Sequence, residues 1–166
     1  DGTVIDEKGN IIGKVASMNG VVLDANGNPT GWTIIGDKVY GPNGELIGTI
    51  IDGKVVNERG EIVGFIPPDG IIVSPEGQFL GRFTRTVGYA MDAQGNKFGR
   101  VLPDYTTVSL EKSEIIGALI PDGTQIININ NEVIGSVLSN GDVVDKDQKN
   151  LGVIRADGSV MSAEGV

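Results

Sequence analysis

A short glycine-punctuated unit recurs along the chain and constrains the fold more than any other feature of the sequence. Its first copy is Asp-Gly-Thr-Val-Ile-Asp-Glu-Lys-Gly-Asn-Ile-Ile-Gly-Lys-Val, over residues 1–15. The pattern is Asp-Gly or Asn-Gly, an apolar run, an Asp-x-x-Gly turn, a second apolar run, a glycine and a third apolar run. It returns about every 17 residues, for roughly nine to ten units, and self-similarity at a fixed short period is typical of repeat architectures.

Each unit is predicted to be β-strand. The apolar runs are short and rich in Val and Ile, and glycine interrupts them too often for a helix to propagate. Asp-x-x-Gly suits a type I turn followed by a left-handed residue, and Asp-Gly or Asn-Gly suits a tight turn with positive φ. The sequence therefore predicts an all-β repeat protein.

A third glycine in each unit carries the most information about shape. It splits the apolar sequence after the turn into two short runs, where a glycine marks a bend or a close approach of backbone. Three short strands and three corners per unit predict one coil of a β-solenoid, or β-helix. The equivalent glycines are Gly13, Gly31, Gly48, Gly64, Gly81, Gly99, Gly117, Gly135 and Gly152.

In the solenoid, equivalent apolar residues form three inward ladders. The first is Ile5, Leu23, Tyr40, Val56, Val73, Met91, Val108, Ile126 and Val144. The second is Ile12, Thr30, Ile47, Val63, Leu80, Phe98, Ile116, Ile134 and Leu151. The third is Val15, Thr33, Ile50, Ile66, Phe83, Val101, Leu119, Val137 and Ile154.

An antiparallel meander of β-hairpins is the alternative fold. Asn-Gly and Asp-Gly between apolar runs are the strongest short-range hairpin signals. Each unit would then be one hairpin, and the sheet would curl or close. The sequence leaves both topologies open.

Charge and composition limit the partners and the chemistry. The net charge of −9 argues against nucleic acid and against anionic membrane surfaces, and no apolar run is long enough for direct membrane insertion. Cysteine and histidine are both absent, so thiol chemistry and the commonest general base are excluded. We expect residues 1–166 to form a single β-repeat domain. The start at Asp1 and the end within a unit indicate a piece of a longer chain.

The turn aspartates are the main candidates for chemistry. Asp24-Ala-Asn-Gly-Asn28 has the spacing of the front of a calcium loop, but Ile35 stands where the closing glutamate is required. The aspartates Asp6, Asp24, Asp92 and Asp145 could form a carboxylate ladder, although Asx residues also bond their own turn backbone. We predict solvated turns, with no catalytic residue, no cofactor site and no metal site.

The middle of the chain is the one departure from uniformity. All four phenylalanines, Phe65, Phe79, Phe83 and Phe98, lie there among three arginines of an acidic protein. Aromatic residues and arginine are preferred interface anchors, so we predict a candidate interface. The alternative is that the phenylalanines fill a wider core and the arginines balance local acids. The candidate interface residues are Phe79, Arg82, Arg85 and Arg100.

Two families resemble the unit at Ile5-Asp-Glu-Lys-Gly-Asn-Ile-Ile-Gly13 and Val56-Asn-Glu-Arg-Gly-Glu-Ile-Val-Gly64. The unit resembles the glycine-punctuated repeats of type IVB (Dot/Icm-like, IcmE/DotG group) secretion scaffold proteins, which implies an envelope-spanning scaffold. The turn is also similar to that of Rhs/YD repeats, which build coiled β shells. Those repeats usually place tyrosine before the turn aspartate, where this chain has Ile5, Leu23 and Val144.

These observations predict a non-enzymatic structural segment of an extracytoplasmic bacterial assembly, in the periplasm or cell envelope, of the secretion-scaffold kind. The partners expected are proteins, through self-association or stacking on flanking repeats. One alternative is a protein-binding module that uses a face with Phe79, Arg82 and Arg85. The other is an Rhs/YD-like shell segment.

Overall fold

All regular structure in the described residues is β-strand, in eighteen short elements. We analysed a computed structural model, which describes residues 3–14 and 21–164. The described residues up to Pro67, with Arg85–Gly88, form one compact unit, and Pro68–Thr84 with the residues from Tyr89 onward form a second. The all-β prediction is confirmed. The single domain stays a prediction, because both units are built from the same repeat.

The first unit contains a hairpin and a five-stranded antiparallel sheet. The hairpin pairs β1 (Thr3–Ile5) with β2 (Ile11–Lys14). The sheet runs in chain order through β3 (Thr33–Ile35), β4 (Lys38–Tyr40), β5 (Leu46–Ile51), β6 (Lys54–Val56) and β7 (Ile62–Phe65). Its core contains Val22, Ile34, Val39 and Val55, with Trp32 packed against them.

Leu23 connects the two ends of this sheet. It forms antiparallel bridges to Phe65 on β7 and to Pro29, which lies four residues before β3. The N–H groups of Leu23 and Phe65 each donate to the other's carbonyl at 2.9 Å. The sheet of repeats two to four is thus tied back on itself.

Repeats five to seven close fully in the second unit. The closed antiparallel barrel contains β8 (Gly70–Val73), β9 (Phe79–Phe83), β10 (Ala90–Met91), β11 (Lys97–Val101), β12 (Thr106–Ser109) and β13 (Ile115–Pro121). Strand β13 pairs with β8 to close it. Opposed residues of antiparallel strands share a face, so the register lines the interior with Ile72, Phe83, Ala90, Val101, Thr107 and Leu119. Each of these is at least 98% buried.

A second sheet in this unit packs on the outside of the barrel. It contains β14 (Gln125–Ile127), β15 (Val133–Val137), β16 (Asp142–Asp145), β17 (Asn150–Ile154) and β18 (Val160–Ser162). Val143 and Ile154 of this sheet share a buried cluster with Ile71, Val73 and Ile120 of the barrel. The two sheets therefore have one core.

The stacked coils of a β-solenoid are not what the structure shows. Every pairing between the described strands is antiparallel, and nearly all join strands that are successive in the chain. The physical reason is that both kinds of turn reverse the chain completely, so each repeat supplies two strands and two hairpin turns. The alternative prediction, a hairpin meander that closes, agrees with this arrangement.

The third glycine does not divide a strand in the described repeats that form regular hairpins. Gly48 lies inside β5 and Gly117 inside β13. The predicted close approach is confirmed, since a Cβ on Gly117 would overlap the Val73 carbonyl oxygen and one on Gly48 would overlap that of Val56. The residue before each glycine is an extra residue in a β-bulge, as Ile47 is between Leu46 and Gly48.

The predicted ladders are partly correct. In the third ladder Phe83, Val101, Leu119 and Ile154 are buried, while Val15 lies outside the described residues. Ile5, Ile12 and Ile134 are exposed instead of inward. The pairing also shows that Ile127, and not Ile126, is the first-ladder residue of repeat eight, because Ile127 opposes Val133 as Val73 opposes Phe79.

The most buried row was not predicted. It consists of the residues directly opposite the bulge glycines, where the missing glycine side chain leaves room for a neighbour to be enclosed. All are fully buried in the five repeats from three to seven and in repeat nine, at Val39, Val55, Ile72, Ala90, Thr107 and Val143.

Candidate interaction site

Two of the four predicted interface residues line one shallow surface pocket. Phe79 begins β9 and Arg82 lies three residues further along the same strand. The pocket is completed by Gly81, Met91, Asp92 and Ala93. Phe79 is 40% exposed, as its predicted outward position requires. Its role in binding stays a prediction.

Arg82 is already paired within the protein. Its guanidinium donates to both carboxylate oxygens of Asp122, at 2.8 and 3.0 Å. The side chains are 38% and 50% exposed, so the ion pair contributes at most about 1 kcal/mol. A partner carboxylate would compete with Asp122 for the same guanidinium face.

The structure does not gather the other two arginines into this pocket. Arg100 lies on β11 and donates to the Ser113 hydroxyl at 3.1 Å. Arg85 belongs to the first unit, where its carbonyl accepts the Val21 N–H. Phe83 and Phe65 are buried core residues and Phe98 is half-buried. The alternative prediction, that the phenylalanines fill the core, therefore fits these three.

The structure reveals a larger apolar feature that the sequence analysis missed. In six hairpins the residue that starts the second strand is apolar and exposed, up to 71% for Ile11 and 69% for Ile115. The position directly follows the turn that joins the two strands of a repeat, and sequential antiparallel pairing puts all these turns at one end of each sheet. We call these residues the apolar rim: Ile11, Leu46, Ile62, Phe79, Ile115 and Val133.

Two repeats carry a polar residue at the rim position. These are Lys97 in repeat six and Asn150 in repeat nine, both exposed. The Lys97 ammonium lies 4.4 Å from the centroid of the Tyr89 ring, in cation–π contact. A polar residue therefore fits this position, so nothing in the hairpin geometry requires an apolar one.

The turn aspartates bond their own turn backbone. An oxygen of Asp92 accepts the N–H groups of Gln94 and Asn96 at 3.0 and 2.8 Å. Asn57 accepts those of Arg59 and Glu61 in the same way, both at 2.9 Å. Since an amide oxygen performs the same task, the carboxylate charge is not needed for the turn.

These hydrogen bonds shift the titration of the turn carboxyls. The side-chain amide of Asn10 lowers the pKa of Asp6, and the N–H of Asn96 lowers the pKa of Asp92. The N–H of Thr106 lowers the pKa of Asp104, and the Ser159 hydroxyl lowers the pKa of Asp157. All four shifts favour the ionised form, which is that of a structural acceptor.

Repeat three has a glycine at the turn position, and an acid on the other side of the turn takes over the hydrogen bond. Gly41 stands at the Asx position of repeat three, and the Glu45 carboxylate accepts the Asn43 N–H at 2.9 Å. A Cβ on Gly41 would overlap this carboxylate. Gly41 and Glu45 together therefore substitute for the usual aspartate.

Within residues 3–14 and 21–164, no group of three or more acidic side chains is arranged to hold a metal ion. The calcium-like sequence at Asp24 forms an Asx turn, with the N–H groups of Asn26 and Asn28 donating to one oxygen. Among these same residues no helix has the length and hydropathy required to cross a membrane.

The fold and the rim define a class: an all-β repeat protein of bulged antiparallel hairpins, three repeats of which close into a barrel, with exposed apolar residues at one end of its sheets. Residues 2–71 match the model of a family described as 4-fold beta flower protein, a match over less than half of the chain. That range spans the first four repeats. No curated protein and no solved structure shows significant similarity to the chain.

Proposed function

We propose that this protein is a non-enzymatic structural repeat that assembles through protein–protein contacts, including contacts between its own copies. The observation that supports the proposal most is the apolar rim. A single exposed isoleucine is ordinary on a protein surface. An exposed apolar residue at the same position of six hairpins is a regular feature of the surface, and grouped exposed apolar residues are typical of interaction sites.

Energetics favours a binding role for the rim. The position tolerates lysine and asparagine, as Lys97 and Asn150 show, so apolar residues there have no folding requirement. Covering one such side chain with a partner would remove apolar surface from water, worth about 1–2 kcal/mol for a side chain already half in contact with its own sheet. Several together would stabilise an assembly of copies.

Sedimentation of the purified chain over a range of concentrations tests this proposal. We expect concentration-dependent association, weakened about tenfold by Ile62→Ser or Ile115→Ser. The matched controls are Lys97→Ser and Asn150→Ser, which change the same repeat position where it is already polar. A chain that stays monomeric at all concentrations, or one whose controls weaken association equally, contradicts the proposal.

The cellular setting is a further part of the proposal. We place the protein in an extracytoplasmic bacterial assembly, with a secretion scaffold as the specific class and an Rhs/YD-like shell segment as the alternative. The likeness of the repeat unit to those families supports this setting. Fractionation of cells that express the full-length gene should recover the protein with the envelope, and recovery in the cytosol would contradict it.

A binding module at the Phe79–Arg82 pocket is a second candidate. The favouring observation is that one aromatic and one cationic side chain line the same depression. Peptides selected against the protein should then be acidic and apolar. Arg82→Glu should abolish their capture, while Arg59→Glu on an exposed turn should not. Capture that survives Arg82→Glu would place the site elsewhere.

A further inference from the structure

The closure of each three-repeat set leaves one strand edge without its next neighbour. Each repeat has a first strand, before the turn, and a second strand that carries the bulge glycine, here called the glycine strand. Elsewhere the glycine strand of one repeat pairs with the first strand of the following repeat, as β5 does with β6 and β15 with β16.

This succession is broken after β2, β7 and β13. At the break after β7, Leu23 takes the β7 edge and β13 takes the β8 edge, so the breaks after β2 and β13 are the ones that leave an open edge. The inference drawn from them rests on the proposed function, since it specifies how copies associate.

The first of these two breaks follows β2. The next segment in the chain holds Leu23, which is bridged to Phe65 on one side and to Pro29 on the other. Leu23 is therefore committed to its own sheet. In the part of the chain that the structure describes, β2 pairs with β1 alone, and its second edge has no strand partner.

The second of these two breaks follows β13. This strand closes the barrel by pairing with β8, with Ala118 opposite Val73 and Leu119 opposite Ile72. Strand β14 consequently lies at the edge of its sheet, and among the described strands β15 is its one partner.

The two open edges are of complementary kinds. Strand β2 is a glycine strand, and its open edge is the one that in other repeats pairs with the following repeat. Strand β14 is a first strand, and its open edge is the one that in other repeats pairs with the preceding repeat. In every such pair the residue after the glycine lies opposite the residue before the turn position. The observed pairs are Thr49–Val56, Arg82–Met91, Arg100–Val108, Ala118–Val73, Ser136–Val144 and Val153–Met161.

Exposed apolar side chains accompany both edges. Ile11 and Ile12 of β2 are 71% and 65% exposed. Ile127 on β14 is 55% exposed, whereas its equivalents Val73 and Val144 are buried. Ile129, at the turn that follows β14, is 98% exposed. The first-strand residue is thus buried or half-buried where both edges are paired and exposed at the open edge of β14.

We propose that β2 of one copy pairs with β14 of a second copy, with Lys14 opposite Ile127. The contact repeats an interface the protein already contains, the β13–β8 pairing that closes the barrel, and adds a strand to an open edge. It is heterologous, because the two edges differ. Each copy offers both a β2 edge and a β14 edge, so copies joined by this pairing add head to tail.

Thiol cross-linking between copies tests the pairing and its register. The native chain has no cysteine, so Lys14→Cys and Ile127→Cys each introduce a single thiol. Directly opposed residues of antiparallel strands have Cα atoms about 4.5–5.5 Å apart, within disulfide range. When the two variants are mixed, one of them mass-tagged, and oxidised, we expect a disulfide-linked heterodimer. The matched control mixes Ile127→Cys with Lys54→Cys, an exposed lysine on β6, whose two edges are both paired within the sheet.

A charge exchange gives a second measurement. Ile127→Lys would place two ammonium groups opposite each other and should weaken self-association at least tenfold. Adding Lys14→Glu should restore most of it, with circular dichroism unchanged in both variants. This pairing is overturned if the chain self-associates but no Lys14–Ile127 cross-link forms, or if Ile127→Lys leaves self-association unchanged. Either result leaves the proposed function standing. Absence of any self-association overturns both.

Discussion

At the scale of the residue, the shape of the hairpins depends on the bulge glycines and on a few side chains that pack around them. The bulge glycine lets the neighbouring backbone approach, and the residue opposite it is fully buried in repeats three to seven and in repeat nine. Valine fills this place in Val39, Val55 and Val143. Thr107 is the exception, a fully buried residue whose hydroxyl has no hydrogen-bond partner.

Replacing Thr107 with valine should therefore stabilise the protein by about 1 kcal/mol, because an unsatisfied buried hydroxyl is exchanged for a methyl group of similar volume. Chemical denaturation measures the change. The matched control is Thr30→Val, where the hydroxyl donates to the Val22 carbonyl at 2.8 Å. That substitution should cost about 1 kcal/mol, and equal effects at the two sites would contradict the explanation.

The close approach at the bulge glycine gives a second residue-scale prediction. Gly117→Ala should lower the free energy of unfolding by about 3 kcal/mol or more, because the added Cβ would meet the Val73 carbonyl oxygen and strain the strand pair that closes the barrel. Gly123 provides the control, since a Cβ there meets no atom within 4 Å and its positive φ is the source of strain. Gly123→Ala should cost about 1–2 kcal/mol. Urea titration of both variants distinguishes crowding from backbone conformation.

At the scale of the element, the sequence predicts the strands and turns but not their pairing. The Asp-x-x-Gly and Asp-Gly signals mark chain reversals correctly. Whether the strand after a turn pairs back within its repeat or stacks on the next repeat depends on how far each corner turns, which residue identities leave open. The hairpin alternative fits because both corners reverse the chain fully.

The bulge is the reason that the core row opposite the glycines could not be predicted. An extra residue before the glycine shifts the alternation of faces by one position. The first predicted ladder contains Tyr40 and Val56, which are half-buried, whereas the bulge places the glycine opposite their neighbours Val39 and Val55, which are fully buried. The apolar rim was missed because the second predicted ladder contains the residue that follows each rim position, as Ile12 follows Ile11, and the rim residues themselves were not compared with one another. Phe79 was found because phenylalanine is rare in this chain.

The Asx turns make the hairpins sensitive to acid. Hydrogen bonds lower the pKa of Asp6, Asp92, Asp104 and Asp157 in the folded protein. Their contribution to stability is therefore present above the unfolded pKa near 4 and is lost as the pH falls through the folded value. We expect the free energy of unfolding to decline below about pH 4.

Asparagine substitution isolates the titration from the turn geometry. In Asp6→Asn with Asp92→Asn, the amide oxygen should keep the backbone hydrogen bonds, as Asn57 and Asn128 do in their own repeats. Denaturation curves between neutral pH and the acid transition should show a shallower decline for the double variant. An unchanged slope would mean that other carboxyls dominate acid unfolding.

At the scale of the whole molecule, closure in sets of three repeats is the organising device. Repeats five to seven form a complete barrel, and repeats two to four are tied back through Leu23. Each closure consumes an edge that would otherwise continue the meander. A chain of nearly identical repeats thereby forms discrete sheets, and the open edges at β2 and β14 are a direct result.

We expect the barrel and the β14–β18 sheet to unfold as one cooperative unit, because they share a buried cluster. Val143, which is fully buried, contacts the cluster that contains Ile71, Val73 and Ile120 of the barrel. Val143→Ala should leave a cavity in that cluster and cost about 2–3 kcal/mol. The barrel should lose stability as well as the substituted sheet, because the barrel side and the sheet side of the cluster cover each other.

Native-state hydrogen exchange measures this coupling strand by strand. In Val143→Ala, the slowest amides of β8 and β13 should lose the same protection as those of β16, because all three exchange through one opening of the unit. Ile129→Ala in the same sheet removes a side chain that is 98% exposed and should change none of them. If protection falls in β16 alone, the sheet opens separately from the barrel, and the buried cluster joins two elements that fold independently. Equal losses in both would show that the outer face of a closed three-repeat barrel serves as core for the repeats that follow it.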